Sequence, residues 1–251
     1  MLSTILLSFL CSSNSHALSC MEGVYNTNIG TDASDIPINS VIQVWIVWGG
    51  LESYPLTLRL ADTDEEVPAT YTEVGINGMV RIEPEEALLP NTEYEVFENS
   101  YQEEVLHFTT GDHIDETPPK TPEILDISKD YGTDTWGSWK WLDISLSEEE
   151  ANGHFKIEVS RNADFSDSEI TYVKYPFIGY GLCTSNIDMN PNSVKWIKVT
   201  AIDAAGNESE ANTPYQRGCT YTQTPMQFLF PILSISLLVS RRRRLVYTTL
   251  S

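Results

Sequence analysis

The chain has 251 residues and a formal net charge of -21, with 36 acidic residues against 15 basic ones. A surface this acidic repels phosphate backbones, which excludes nucleic acid as a partner. Four cysteines are too few for a disulfide-stapled miniprotein. Residues 18–217 contain every acidic residue and are long enough for two small domains, each with its own core.

The N-terminus has the pattern of a secretory signal peptide over residues 1–17. Residues 5–10 form its apolar core, and Ser15-His16-Ala17 fits a small-x-small cleavage site. No Lys or Arg precedes the apolar core. Cleavage after Ala17 predicts an exported protein.

The region 18–111 has the pattern of an all-β domain. Residues 41–48 are β-branched and aromatic almost throughout, which favours a central strand. Leu56, Leu58 and Leu60 alternate with polar residues and are predicted to share one buried face. Further strands are predicted around Tyr71 and over residues 79–82, 94–97 and 105–108, the spacing of a β-sandwich.

The most specific local pattern in this region is the segment 88–96. Pro90-Asn91 predicts a turn, and Tyr94 opens the next strand, so its ring is expected in the core with its hydroxyl bonded to nearby backbone. Together with residues 34–39 and 107–111, this segment resembles the SbsA-type bacterial Ig-like domain. The resemblance implies a spacer or display module and brings no catalytic residues.

Residues 112–122 are predicted to be a linker, since they combine charge with three prolines. Prolines favour an extended, semi-rigid chain that holds two domains apart.

A second β-sandwich is predicted over residues 123–217. Within 139–146, Trp139, Trp141, Ile144 and Leu146 are predicted to be buried, and residues 155–159 alternate strictly. Residues 194–203 are predicted to form a long strand followed by a turn at 204–209. The stretch 196–209 resembles the last hairpin of fibronectin type III and related Ig-like modules.

Residues 165–183 are rich in Tyr and Gly and include Tyr172, Tyr175, Phe177 and Tyr180. Packing accounts for most aromatic residues in such domains. The alternative is a carbohydrate platform between Tyr172 and Tyr180, as in a carbohydrate-binding accessory protein or small extracellular hydrolase.

Catalytic motifs are absent from the sequence. It has no His-Glu-x-x-His, no Cys-x-x-Cys, no Gly-x-Ser-x-Gly and no glycine-rich phosphate loop. We therefore expect no catalytic residue, no cofactor and no enzyme activity. Calcium is kept as an option without an assigned ligand, because acidic residues cluster at 62–66 and at 112–116, the latter beside Asp203.

The C-terminal stretch 218–251 predicts where in the cell the protein is located. Gly218 and Cys219 are followed by a polar spacer, the apolar run 228–239 and the cluster Arg241, Arg242, Arg243 and Arg244. This combination resembles the MYXO-CTERM type of sorting tail, which implies processing or attachment at Cys219 and display on the cell surface or outer membrane. The alternative is a plain single-pass anchor, although the apolar run is shorter than the about 20 residues that span a bilayer.

Cysteine pairing depends on the fate of that tail. If Cys219 serves the tail, Cys20 and Cys183 are the pair available in an oxidising compartment. With a plain anchor, Cys183 with Cys219 is equally open.

The sequence thus predicts a non-catalytic surface protein with two tandem Ig-like sandwiches, acting as a spacer, adhesion or binding element. Its predicted partners are the membrane, through the tail, and an unknown extracellular protein or glycan. Polymerisation through sheet edges is a third option.

Overall fold

The structure is a computed structural model that describes residues 23–47, 49–75, 78–134, 137–147, 152–181 and 185–218. Strands dominate this part of the chain, and its one α-helix is the single turn α1 (Gly50–Ser53). No helix in the described ranges is long and apolar enough to cross a membrane. The all-β prediction is confirmed.

The first sandwich has two four-stranded sheets. Its strands are β1 (Gly23–Thr27), β2 (Ala33–Ile36), β3 (Ile42–Val47), β4 (Leu56–Leu60), β5 (Ala69–Val74), β6 (Met79–Pro84), β7 (Glu93–Glu98) and β8 (Glu103–Thr110). One sheet has the order β1-β3-β6-β5 and the other β2-β8-β7-β4. All pairs are antiparallel except β2 with β8, which is parallel.

The core of the first sandwich lies between these sheets. Ile42, Val44 and Ile46 of β3 face Leu58 of β4 and other buried apolar residues in one cluster. Along β3, however, burial does not alternate, because Gln43 and Trp45 on the opposite face are also buried. The second sandwich covers that opposite face, which explains why Trp45 is buried on a side of β3 that would otherwise meet solvent.

Tyr94 occupies the position that the sequence predicts. Its side chain is 2% exposed and its ring stacks on Phe108, with centroids 5.7 Å apart. The backbone N–H of Leu89 donates to the Tyr94 hydroxyl oxygen at 2.8 Å. Asn91 has a positive φ of 50°, a conformation that asparagine tolerates better than most residues. The tyrosine corner is confirmed.

The second sandwich packs a three-stranded sheet on a four-stranded one. Its strands are β9 (Ile124–Asp134), β10 (Gly137–Leu146), β11 (Gly153–Ser160), β12 (Glu169–Val173), β13 (Phe177–Tyr180), β14 (Trp196–Asp203) and β15 (Tyr215–Gln216). The orders are β13-β10-β9 and β12-β11-β14-β15. Seven antiparallel strands in this three-plus-four arrangement form an Ig-like or fibronectin type III-like sandwich.

The core of the second sandwich corrects one prediction. Leu142 and Ile144 of β10 are buried in the core, whereas Trp139 and Trp141 are only half-buried. Because side chains alternate along a strand, the core face passes through 142, 144 and 146, and the two tryptophans lie on the other face. There Trp141 makes an edge-to-face contact with Phe177, with centroids 5.3 Å apart.

Candidate functional site

The two sandwiches meet at a surface that we call the junction. It is formed by Gln43, Trp45 and Arg81 on one side and by His154, Tyr172 and Lys174 on the other. The indole N–H of Trp45 donates to the backbone carbonyl of Tyr172 at 2.9 Å, and Trp45 is 1% exposed. The Trp45 ring also meets the His154 ring edge-on, with centroids 5.8 Å apart. A fully buried tryptophan therefore joins the two sandwiches.

Backbone hydrogen bonds cross the same boundary. The carbonyl of Asn28 accepts from the backbone N–H of Gly153 at 2.9 Å and from the Lys174 ammonium at 2.8 Å. The N–H of Val41 donates to the carbonyl of Ala204 at 2.8 Å, and Ala204 belongs to the core cluster of the first sandwich. These contacts differ from the expectation that the linker holds the domains apart.

The linker itself is held against both sandwiches. The carbonyl of Asp115 accepts from the amide groups of Asn39, at 2.8 Å, and of Asn207, at 3.1 Å. The Asn39 side-chain oxygen accepts in return from the Asp115 N–H at 3.0 Å. Prolines make such a segment stiff, but these side-chain bonds set where it lies.

His154 is the most unusual titratable group in the junction. It is fully buried, and within the described residues neither ring nitrogen has a hydrogen-bond partner. Burial, together with the positive charges of Lys174 and Arg81, lowers the pKa of His154 to about 3. The imidazole is therefore neutral at pH 7 and packs as an aromatic ring.

Asp203 and the acidic residues of the linker are one of the two clusters that the sequence suggests as a calcium site. Asp203 accepts from the backbone and side chain of Asn207 at 2.9 and 3.0 Å, which fits its role as a turn former. Burial raises the pKa of Asp203, and the negative charge of Asp115 adds to this effect. The hydrogen bonds from Asn207 act in the opposite direction and lower the pKa. In the described part of the chain, no three His, Cys, Asp or Glu side chains converge as metal ligands do.

The tyrosines proposed as a carbohydrate platform lie on separate sheets. Tyr172 is on β12, and its ring lies 6.2 Å from the His154 ring of the junction. Tyr180 is on β13, paired with Lys140 of β10. Tyr175 lies between these strands and is 59% exposed. Because the segment forms two strands of opposite sheets, its rings do not line one face.

A groove of about 500 Å³ opens in the first sandwich between β1 and the start of β8. We call it the tyrosine groove, and the side chains that define it are Tyr25, Tyr54, Tyr101, Glu98, Glu103 and Glu104. Tyr101 stacks on the buried Tyr54, with centroids 6.0 Å apart. The sequence does not predict this groove, because its two sides are about 80 positions apart and belong to different sheets, which meet only when the sandwich packs.

The predicted sorting and disulfide residues fall largely outside the described ranges. Gly218 is the last described residue, and Cys219 and the four arginines at 241–244 follow it. Cys20 and Cys183 also lie outside. The roles of these residues therefore stay predictions.

Comparisons with known proteins give distant structural similarity alone. No known protein family matches the chain, and no curated protein matches it. The FN1–FN3 domains of chicken CNTN1 have 12% identity and a TM-score of 0.27, over 78% of this chain and 64% of that one. This chain thus spans less than two thirds of that structure.

Two further structures are similar at the same level. The tandem Ig repeats of Dlar have 13% identity and a TM-score of 0.28, over 76% of this chain and 94% of that one. L,D-transpeptidase 1 of Mycobacterium tuberculosis has 12% identity and a TM-score of 0.29, over 76% and 98%. Because these TM-scores are below 0.5, the Ig-like assignment rests on the sheet topology of this chain.

Proposed function

We propose that this chain is an exported, non-catalytic cell-surface protein whose two Ig-like sandwiches act as one unit for spacing, adhesion or binding. The observation that supports this most directly is the junction, where Trp45 is buried between the sandwiches and bonded to Tyr172. A surface protein that presents a partner site benefits from such a fixed connection, because binding then does not have to restrict a mobile linker.

The proposed route to the surface depends on both ends of the chain. Residues 1–17 act as a signal peptide, and the tail 218–251 acts as a MYXO-CTERM-type sorting signal processed at Cys219. The first sandwich is proposed as an SbsA-type spacer module. The extracellular partner is a protein or a glycan, and the membrane is contacted through the tail.

Mass spectrometry of the mature protein from its native membrane tests this route. The expected species begins at Leu18 and ends near Cys219, with a modification on that cysteine. If Arg241–Arg244 are retained, the tail is a plain anchor. Non-reducing digestion of the same sample distinguishes a Cys20–Cys183 disulfide from Cys183–Cys219.

Protease treatment of intact cells tests surface display itself. The two sandwiches are expected to be accessible to an added protease while a cytoplasmic control protein stays intact. Protection of the whole chain until the cells are lysed would contradict the proposal. This outcome does not depend on what the protein binds.

A further inference from the structure

The tyrosine groove combines exposed aromatic surface with negative charge. Tyr25 is 46% exposed and Tyr101 is 61% exposed. Large aromatic side chains in β-sandwiches are more often buried in the core. Both rings line the same groove. Exposed aromatic side chains that share one concave surface are typical of binding sites for proteins and ligands.

The charge of the groove selects the partner. Glu103 and Glu104 are exposed at its rim, and its described lining includes no Lys, Arg or His. Tyrosine faces attract cations as well, through the negative charge density of the ring. Both kinds of side chain therefore favour an ammonium or guanidinium group, and they disfavour an anionic ligand.

Glu98 has a different role, because it shapes the groove. It is 4% exposed, and its carboxylate accepts from the backbone N–H groups of Ser100 and Tyr101 at 2.8 and 2.6 Å. These bonds fix the turn that carries Tyr101. The aromatic wall is thus pre-organised before any partner arrives.

Two strand edges flank the groove. Strand β1 is at the end of its sheet and pairs with β3 alone among the described strands. Strand β8 pairs with β2 only near its C-terminal end, at Phe108 and Thr110. At Glu103–Val105, β8 pairs with β7 on one side, and its other edge has no strand beside it in the described part of the chain. Open strand edges of β1 and β8 therefore border the groove.

We propose that the tyrosine groove binds an extended, Lys- or Arg-rich segment of a partner protein by strand addition. Backbone hydrogen bonds at an open edge supply affinity without regard to sequence, as in other cases of β-augmentation. Alternate side chains of the added segment point into the groove, where Tyr25, Tyr101 and the two rim glutamates meet their positive charges. This inference rests on the proposed binding function and specifies its partner.

The test uses the full-length protein and a fluorescent heptapeptide of alternating Lys and Thr, measured by fluorescence anisotropy. Binding is expected to weaken as NaCl rises from 0.05 to 0.5 M, because the rim charges become screened. A matching peptide of alternating Glu and Thr is expected not to bind. Equal binding of both peptides would overturn the proposed charge selection.

Variants separate the groove from the general acidity of the protein. Glu103→Gln with Glu104→Gln is expected to weaken binding about tenfold. The matched control, Asp62→Asn with Glu65→Gln, removes the same charge from an exposed turn outside the groove and is expected to change binding less than twofold. If both double variants lose the same amount of peptide affinity, the peptide is attracted by the overall charge of the protein, and the assignment to the groove is overturned.

The aromatic and backbone contributions have their own controls. Tyr101→Ala is expected to weaken binding about fivefold, with a thermal melt to check that the sandwich stays folded. A peptide N-methylated at every second residue keeps its charge but loses backbone donors, and it is expected not to bind. Unchanged affinity of that peptide would overturn strand addition. Failure of the charge test or of the strand-addition test would leave the proposed surface display unaffected, because the protease experiment measures surface display separately.

Discussion

Replacing His154 with phenylalanine is expected to remove part of the pH dependence of unfolding. In the folded protein, burial beside Lys174 and Arg81 holds the pKa of His154 at about 3, against an ordinary value of 6.5. Below pH 6.5 the unfolded chain therefore binds a proton that the folded chain does not bind. The unfolding free energy falls as pH falls through this window, by about 1.4 kcal/mol per pH unit.

Between pH 6.5 and pH 4 this linkage amounts to about 3 kcal/mol. The sign follows from the depressed pKa, since stability is fully present above 6.5 and is lost towards 3. Phenylalanine keeps a ring against Trp45 and removes two nitrogens that have no hydrogen-bond partner among the described residues. At pH 7 the variant is therefore expected to be at least as stable as the native protein.

Urea unfolding followed by far-UV circular dichroism at pH 4, 5, 6 and 7 measures this effect. The carboxylates titrate in both proteins, so the difference between the two curves isolates His154. Leu142→Ala is the control, because it removes buried apolar atoms and no titratable group, so it is expected to lower the whole curve without changing its slope. Parallel curves for the native protein and the His154 variant would refute the reasoning.

Three further substitutions test the packing. Tyr94→Phe leaves the Leu89 N–H without its acceptor and is expected to lower the unfolding free energy by about 1 kcal/mol in urea titrations; no change would contradict the tyrosine corner. Leu142→Ala is expected to cost about 2–5 kcal/mol and Trp139→Ala clearly less, measured in the same way, whereas the reverse order would contradict the observed face of β10. Trp45→Ala is expected to increase proteolysis within the linker residues 112–122, and unchanged cleavage kinetics would show that the junction does not depend on this side chain.

The elements that sequence reasoning predicts well are those set by local pattern. Tyr94 follows a Pro-Asn turn, and the side chains needed for its corner lie within a few positions, so the motif is readable from one segment. Strand β4 is predicted at its observed bounds, because period-two alternation marks it directly.

The errors have a common cause in contacts between distant segments. In β10 the large side chains of Trp139 and Trp141 suggest that their face is buried. The face that packs in the core is instead the one that carries Leu142 and Ile144. The charge and prolines of the linker suggest separation, and nothing local indicates that Trp45 will meet a carbonyl 127 positions away. The apolar run 41–48 did carry a signal for this contact, since a strand with both faces apolar requires a cover on each side.

The order in which the chain is made gives the junction a further significance. Trp45 is synthesised well before His154 and Tyr172, so the strands of the first sandwich are made while its indole is still uncovered. Ala204 joins the first core only when β14 has arrived. During that interval the incomplete chain exposes an aromatic patch that its own second half later covers, so this stage of folding is the one at which aggregation competes most strongly.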